Sequence, residues 1–230
     1  MKKALITGGT GGLGKELCSA YVDAGYEVVA IDVSPFRGKP VCDFLEVNIA
    51  KMDDVEQKLS AIGVPDVIIN CAGITRDRVC WKMSSDEWQT VIDVNLTGAF
   101  NVVRTLSPGM KSRRSGVIIN ISSINGSRGK FGQTNYTAAK AGLEALTRNW
   151  AIELGPFGIR SNAIAPGMVM TEMTRSLPED VLERAASERR LPYPVEERDI
   201  ANTALFLSSD ESRCITGQTI RVDCGQLICT

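Results

Sequence analysis

The 230-residue chain contains no histidine. That absence excludes a Ser-His-Asp or Cys-His catalytic unit, an HExxH zinc site and a histidine proton shuttle, leaving Asp, Glu, Lys, Tyr or Cys as general acid or base. The seven cysteines, at positions 18, 42, 71, 80, 214, 224 and 229, include no CxxC pair. With no imidazole to complete a mixed site, neither a metal nor a disulfide framework is expected, and the thiols read as buried and reduced. An excess of charge is also lacking: 26 Lys and Arg stand against 27 Asp and Glu, a net charge of −1. This gives no electrostatic reason to expect nucleic acid or an anionic membrane as partner, and the cluster Lys111/Arg113/Arg114 reads as solvated surface. Long apolar runs are missing as well. Lys2 and Lys3 precede only three apolar residues before Thr7 and two glycines, too few for a signal-peptide core or a membrane span, so a cytoplasmic location is expected.

What is present is an ordinary soluble composition, 43% hydrophobic and 23% charged, in a chain long enough to bury a substantial core. No repeat or linker-like run divides it, and residues 1–230 read as a single domain. Short apolar, β-branched runs at 4–7, 27–32, 41–47, 67–70, 117–121, 160–165 and 219–223 alternate with helical patterns at about 12–24, 51–62, 84–113, 135–154 and 196–208. Ser84 through Glu87 form a capping box opening the third helix, which is expected to break near Asn95. Gly25 and Gly155 stand where helices should stop. The alternation predicts an α/β Rossmann fold: a doubly wound parallel sheet of about seven strands with helices on both faces. Ligands of such sheets bind at the carboxyl ends of the strands, which directs attention to the residues just after each strand.

After the first strand comes Thr7-Gly8-Gly9-Thr10-Gly11-Gly12-Leu13-Gly14, leading directly into an amphipathic helix. Glycines let the backbone and the helix N-terminus approach a pyrophosphate closely; taken alone, the same turn serves equally as a tight strand-to-helix connection. Asp32 ends the second strand 24 positions after Gly8, near the offset of the acid that bonds a ribose diol in dinucleotide folds. A carboxylate there accepts from both hydroxyls and repels a 2′-phosphate. Gly11 and Val33, where a basic side chain would neutralise such a phosphate, carry none. The sequence favours NAD over NADP, although Arg37 and Lys39 in the loop 34–40 lie within possible reach of a phosphate.

Thr7-Gly8-xxx-Gly12-x-Gly14, Asn70-Cys71-Ala72-Gly73, Asn95, Ser123, Tyr136-xxx-Lys140 and Pro166-Gly167 occur in that order, with 13 positions from Ser123 to Tyr136 and four from Tyr136 to Lys140. Over essentially its whole length the chain resembles the short-chain dehydrogenase/reductase family. From the residues themselves, Tyr136 and Lys140 share a helix face, and an ammonium beside a phenol is expected to lower its pKa from about 10. The resemblance implies that Tyr136 exchanges a proton with the substrate oxygen and Ser123 orients that oxygen. It also implies that Lys140 holds the nicotinamide ribose and that Asn95 anchors a water joining Lys140 to solvent. It further implies cofactor contacts from Gly8, Thr10, Gly11, Gly12, Leu13, Gly14, Asp32, Asn48, Ile49, Asn70, Ala72, Gly73, Tyr136, Lys140, Pro166, Gly167, Val169 and Thr171. Asn48 stands where the family commonly has aspartate, and Asp223-Cys224-Gly225 where it has Asp-Gly-Gly.

Within the family, the stretches 70–77 and 125–136 resemble the 3-oxoacyl-[acyl-carrier-protein] reductases and acetoacetyl-CoA reductases. That likeness implies Phe131 and Gln133 as walls of an acyl site, though both also suit plain loop packing, and Arg128 or Lys130 as contacts for a phosphorylated carrier, coenzyme A or acyl carrier protein. Such reductases usually prefer NADPH, in tension with Asp32. Residues 168–194, with an amphipathic stretch near 178–190 and the stiff Pro192-Tyr193-Pro194, read as a substrate lid. Three functions remain open: an NAD-dependent enzyme on 3-oxoacyl or 3-hydroxyacyl thioesters, an NAD-dependent dehydrogenase of another secondary alcohol (sugar, sterol or small diol), and a catalytically silent dinucleotide-binding scaffold. Ala138, Leu143, Leu146 and Trp150 exceed what one sheet face needs. With the family's habit of pairing such helices across a two-fold axis, they lead to the expectation of a homotetramer or homodimer, testable by sedimentation.

Overall fold

The structure, a computed structural model, describes residues 1–228, so that Cys229 lies outside the described residues. Strands β1 (Lys3–Thr7), β2 (Glu27–Asp32), β3 (Asp43–Glu46), β4 (Val67–Asn70), β5 (Gly116–Ile121), β6 (Ile159–Pro166) and β7 (Thr219–Val222) form one sheet. They pair throughout in parallel, in the order β3-β2-β1-β4-β5-β6-β7. The order reverses between β1 and β4, so their carboxyl ends open the crevice that a doubly wound sheet offers to ligands. Register places Thr7 beside Asn70 and Asn70 beside Asn120, a polar row across three strands at that edge.

Parallel strands are buried on both faces, and their two-residue period sends alternate side chains to opposite sides. Ile6, Ile69 and Ile119 pack under α1 (Gly12–Asp23) and α9 (Glu197–Ser208), against Leu17, Tyr21, Ile200 and Leu207. Leu5, Ile68 and Ile118 face the other way, toward α2 (Met52–Leu59), α4 (Gly98–Arg113) and α6 (Thr134–Leu154), against Val55, Val102, Leu106, Leu143 and Trp150. Leu143 and Trp150 thus belong to the chain's own core, and the expectation that they supply an oligomer face is corrected. The apolar side chains left outward on these two long helices include Phe100 and Ile152, the latter 74% exposed.

The long helical pattern at 84–113 resolves into three pieces. The Ser84–Glu87 capping box is formed, with Ser84 Oγ accepting from Glu87 N at 3.1 Å and Glu87 Oε2 accepting from Ser84 N at 2.9 Å. It opens α3 (Ser85–Ile92); the expected break is a π-helical turn, Asp93–Thr97, that carries Asn95, and α4 follows. Such one-turn bulges place a side chain where a regular helix would not. The five-residue α5 (Ile124–Arg128) has too little periodicity to be read in advance. Helix α6 stops at Leu154, yet Gly155 keeps a right-handed φ of −53°; the chain reverses at Gly158, φ +74°, after a short turn containing Pro156. The lid carries α7 (Glu172–Arg175) and α8 (Glu179–Glu188).

Cys224 is one of two non-glycine residues with positive φ among those described, at +52°. Its carbonyl accepts from Arg190 N at 2.9 Å and Leu191 N at 3.2 Å, pinning the end of the lid. A left-handed conformation costs an L-residue about 1–2 kcal/mol, partly offset by the extra unfolded-state entropy of glycine. Cys224→Gly is therefore expected to stabilise the fold by about 0.5–1 kcal/mol, read as a melting-temperature rise of about 1–3 °C. An unchanged or lower melting temperature would show that the thiol's own packing outweighs the strain.

Candidate active site

The turn after β1 is shaped by what its glycines lack. Gly8 has φ +67°, and a Cβ there would sit 2.7 Å from Ala72 Cα. A Cβ on Gly14 would sit 2.0 Å from the Gly8 carbonyl. These positions close β1 onto β4 and onto the first turn of α1. Gly11 precedes that helix without any side-chain cap, so its leading N–H groups and positive dipole end meet the crevice unsatisfied. A Cβ on Gly12 would face Thr171 Cβ at 3.6 Å and Glu197 Oε1 at 3.0 Å, which places the start of the lid over the turn. Asp32 reaches the same rim, its Oδ2 accepting from Thr10 Oγ1 at 2.7 Å and Thr10 N at 3.3 Å and its Oδ1 from Val33 N at 2.8 Å. Space for a pyrophosphate, an uncapped helix end and a fixed carboxylate together fit a dinucleotide.

Not every residue expected there faces the crevice. Ile49 is buried against Gly98, its carbonyl accepts from Asn101 Nδ2 at 2.8 Å, and its side chain belongs to the core. Asn48 turns Oδ1 onto Ala50 N at 3.1 Å, bracing its own loop. Asn70 spends its amide within the sheet, Nδ2 donating to Asn120 Oδ1 at 2.8 Å, and Asn120 in turn donates to Thr147 Oγ1 at 2.7 Å. Ala72 and Cys71 are held at the crevice because Thr7 Oγ1 accepts from both their N–H groups at 3.0 Å. Thr7, Asn120 and Thr147 were not foreseen as site supports; only strand register, invisible in the sequence, brings them into line.

Across the crevice, Ser123 follows β5 and caps α5, its Oγ accepting from Asn125 N at 3.2 Å. The phenol of Tyr136, in the first turn of α6, lies near enough for this hydroxyl to favour its ionised form. The buried Asn135 anchors that turn, donating from Nδ2 to the carbonyls of Arg76 at 3.0 Å and Glu87 at 2.9 Å. Lys140, one turn on and only 3% exposed, aims Nζ at the Ile121 carbonyl, 2.7 Å away, and lies 5.6 Å from the Tyr136 ring centre. Gly73 leaves room beside it: a Cβ there would sit 3.4 Å from Lys140 Nζ and 3.6 Å from Asn95 Oδ1. Asn95 clamps the Ile74 peptide, Oδ1 accepting from Ile74 N at 2.8 Å and Nδ2 donating to Ile74 O at 2.9 Å. The side chain drawn in by the π-turn thus fixes the wall opposite Lys140.

Burial decides the protonation of this pair. It pushes the Lys140 ammonium down to about 8. It raises the Tyr136 phenol above its ordinary value; the Ser123 hydroxyl pulls the phenol back, and the Asp77 carboxylate pushes it further up. The expectation that Lys140 lowers the phenol is corrected, since the ammonium is turned to a backbone carbonyl and is itself poorly solvated. A phenol held protonated near neutral pH is suited to donating a proton.

On the substrate side, Phe131 is 83% exposed and forms no wall. Gln133 is a brace, accepting from Asn125 Nδ2 at 3.1 Å and donating to Asp77 Oδ2 at 2.9 Å. Beyond Pro166 and Gly167, Val169 bridges to Val195, and Thr171 shares a hydroxyl bond with Thr174 at 3.0 Å. Within the lid itself lies a cavity of about 350 Å³, lined by Met168, Met170, Leu182, Ala186 and Pro194 together with the charged Glu179, Glu183 and Arg189. The Nε of Arg189 is buried there without a hydrogen-bond partner among the described residues.

Comparisons with known proteins agree with this arrangement. Residues 8–226 match the family model described as Enoyl-(Acyl carrier protein) reductase. A 3-oxoacyl-[acyl-carrier-protein] reductase of Staphylococcus epidermidis is 40% identical over 239 aligned positions, covering 97% of this chain and 98% of its own. An acetoacetyl-CoA reductase of Rhizobium meliloti is 42% identical over 238, covering 97% of each. The crystal structure of a 3-oxoacyl-[acyl-carrier protein] reductase from Brucella melitensis superposes with a TM-score of 0.91 at 31% identity, covering 97% of this chain and 90% of that one.

Proposed function

This chain belongs to the short-chain dehydrogenase/reductase family, and from that premise we propose that it is an NAD(H)-dependent oxidoreductase interconverting a 3-oxoacyl thioester and its 3-hydroxyacyl form. A bound nicotinamide dinucleotide supplies or accepts the hydride. The observation that carries the reading is the convergence of Ser123, Tyr136 and Lys140 on the crevice opposite the uncapped glycine turn. In this reading Ser123 and Tyr136 bind the substrate oxygen, Tyr136 delivers its proton and Lys140 holds the ribose. Asn95 keeps the wall that a water path to Lys140 would follow, and Val169 and Thr171 flank the nicotinamide. The names of the relatives support a thioester on coenzyme A or acyl carrier protein. Of the two basic residues considered for the carrier, Arg128 is tied to Glu188, leaving exposed Lys130. No helix among the described residues is long and apolar enough to cross a membrane; we place the enzyme in the cytoplasm. The outward Phe100 and Ile152 support a homodimer or homotetramer.

Competing 3-oxoacyl thioesters against simple ketones and secondary alcohols, followed by the absorbance of reduced nicotinamide, tests the substrate class. Thioesters are expected to turn over with kcat/KM at least tenfold higher. Activity on alcohols alone would instead favour a dehydrogenase of another secondary alcohol, the reading to which Asp32 at the ribose rim also lends itself.

A further inference from the structure

We infer that Glu188 is a positioning residue, a clasp that ties the lid at once to the helix capped by Ser123 and to the turn at Gly167. The inference rests on the reading of the site given above. Helix α8 buries none of its ten residues fully, so apolar packing alone holds it weakly and polar contacts at its ends set its position. At its last residue, Glu188 Oε2 accepts from Arg128 Nη1 at 2.8 Å and from Gln226 Nε2 at 2.7 Å. These two donors lead to two different segments, the helix after β5 and the loop after β7.

On one side, Arg128 Nε donates to Asn125 Oδ1 at 3.0 Å, and Asn125 N donates to Ser123 Oγ. Through Nδ2, Asn125 also joins the Gln133–Asp77 brace. On the other side, Gln226 Oε1 accepts from Met168 N at 3.2 Å and would touch a Cβ on Gly167 at 2.6 Å. Gln226 is itself fixed, because Asp223 accepts from Gly225 N at 2.9 Å and Leu227 N at 2.8 Å. One carboxylate oxygen therefore links the lid, the serine that binds the substrate oxygen and the turn proposed to lie along the nicotinamide. Arg128 and Gln226 hold the Glu188 carboxyl below its ordinary range, keeping it charged through the neutral region.

A partly exposed ion pair contributes little to global stability. As mere surface decoration, Glu188 would leave both catalysis and the lid untouched. As a clasp, its loss opens the lid without unfolding the sheet. The test uses the full-length protein, Glu188→Gln, Arg128→Gln and their combination, with kinetics on whichever ketone the wild type reduces and trypsin cleavage at the lid arginines 184, 189 and 190. Each single variant is expected to raise KM about tenfold with kcat within twofold and to speed lid cleavage about tenfold, at an unchanged melting temperature. The double variant should be no worse than Glu188→Gln alone, because Arg128 acts on the lid through the Glu188 carboxylate. Unchanged KM and cleavage, or strictly additive effects, would overturn the clasp. Should either variant fail to fold, Gln226→Leu severs the other arm and is judged by the same two readouts. If the wild type reduces no ketone, the proposed function falls, while the cleavage rates still decide the clasp.

Discussion

Tyr136→Phe is expected to lower kcat by about 10³-fold while the protein still folds and binds NADH with near wild-type affinity. A positioned proton donor contributes about 10²–10⁴-fold to such a reaction, and the Tyr136 phenol lies beside the Ser123 hydroxyl, which acts on its pKa. Because burial holds it above its ordinary value, it stays protonated through the neutral range and serves as an acid in the reducing direction. Retention of more than a tenth of wild-type kcat would remove the phenol from the mechanism. The pH dependence separates Tyr136 from its neighbour. Lys140, brought down to about 8 by burial, carries its charge below that pH and loses it above, whereas the phenol loses its proton only higher up. NADH affinity should accordingly weaken through one proton-linked step near pH 8. That step should persist in Tyr136→Phe and vanish in Lys140→Met. If it disappeared with the phenol instead, the group titrating near pH 8 would be Tyr136.

Why one half of this site was legible and the other half was not follows from what a sequence encodes locally. Spacing along a helix places Tyr136 and Lys140 on one face whatever surrounds them, and a glycine turn between a strand and a helix needs no distant partner to be read. A parallel sheet likewise follows from alternation of apolar runs with helices, and the capping box at Ser84 from four adjacent residues, so both were accessible from pattern alone. The direction of the Lys140 ammonium depends on the Ile121 carbonyl, 19 positions away on another element. The absence of a side chain on Gly98 opens a hole that the Ile49 side chain fills, a fit between two elements that no local pattern shows. Leu143 and Trp150 looked surplus because α6 was credited with one sheet face, whereas it packs at once on β6, α3 and α5. Phe131 and Gln133 are neighbours in the chain and opposites in the fold, one exposed and one braced between Asn125 and Asp77. Leu143, Trp150 and the Lys140 ammonium share one cause: the groups that place them lie far off in sequence.

The wild-type protein is expected to bind NADH about 10²-fold more tightly than NADPH, and Asp32→Ala to erase most of that preference. Asp32 is held at the rim of the glycine turn by Thr10 and by the Val33 N–H, so it cannot swing away without breaking three hydrogen bonds. A carboxylate and a dianionic phosphate about 5 Å apart repel by about 2–7 kcal/mol at effective dielectrics of about 80 to 20. Mobile ions reduce that figure at physiological salt, which leaves roughly 10²-fold as the expected discrimination. Arg37 and Lys39, the nearby cations, sit exposed on the loop after Val33, where water screens them. Removing the carboxylate also removes the acceptor for the ribose hydroxyls, so Asp32→Ala should bind NADH about tenfold more weakly while NADPH binds more tightly. Titrating both dinucleotides against both proteins by fluorescence separates the two contributions, because only the repulsive one weakens with added salt. Equal or tighter binding of NADPH by the wild type would mean that Arg37 or Lys39 folds over the phosphate, and the NAD assignment would be lost.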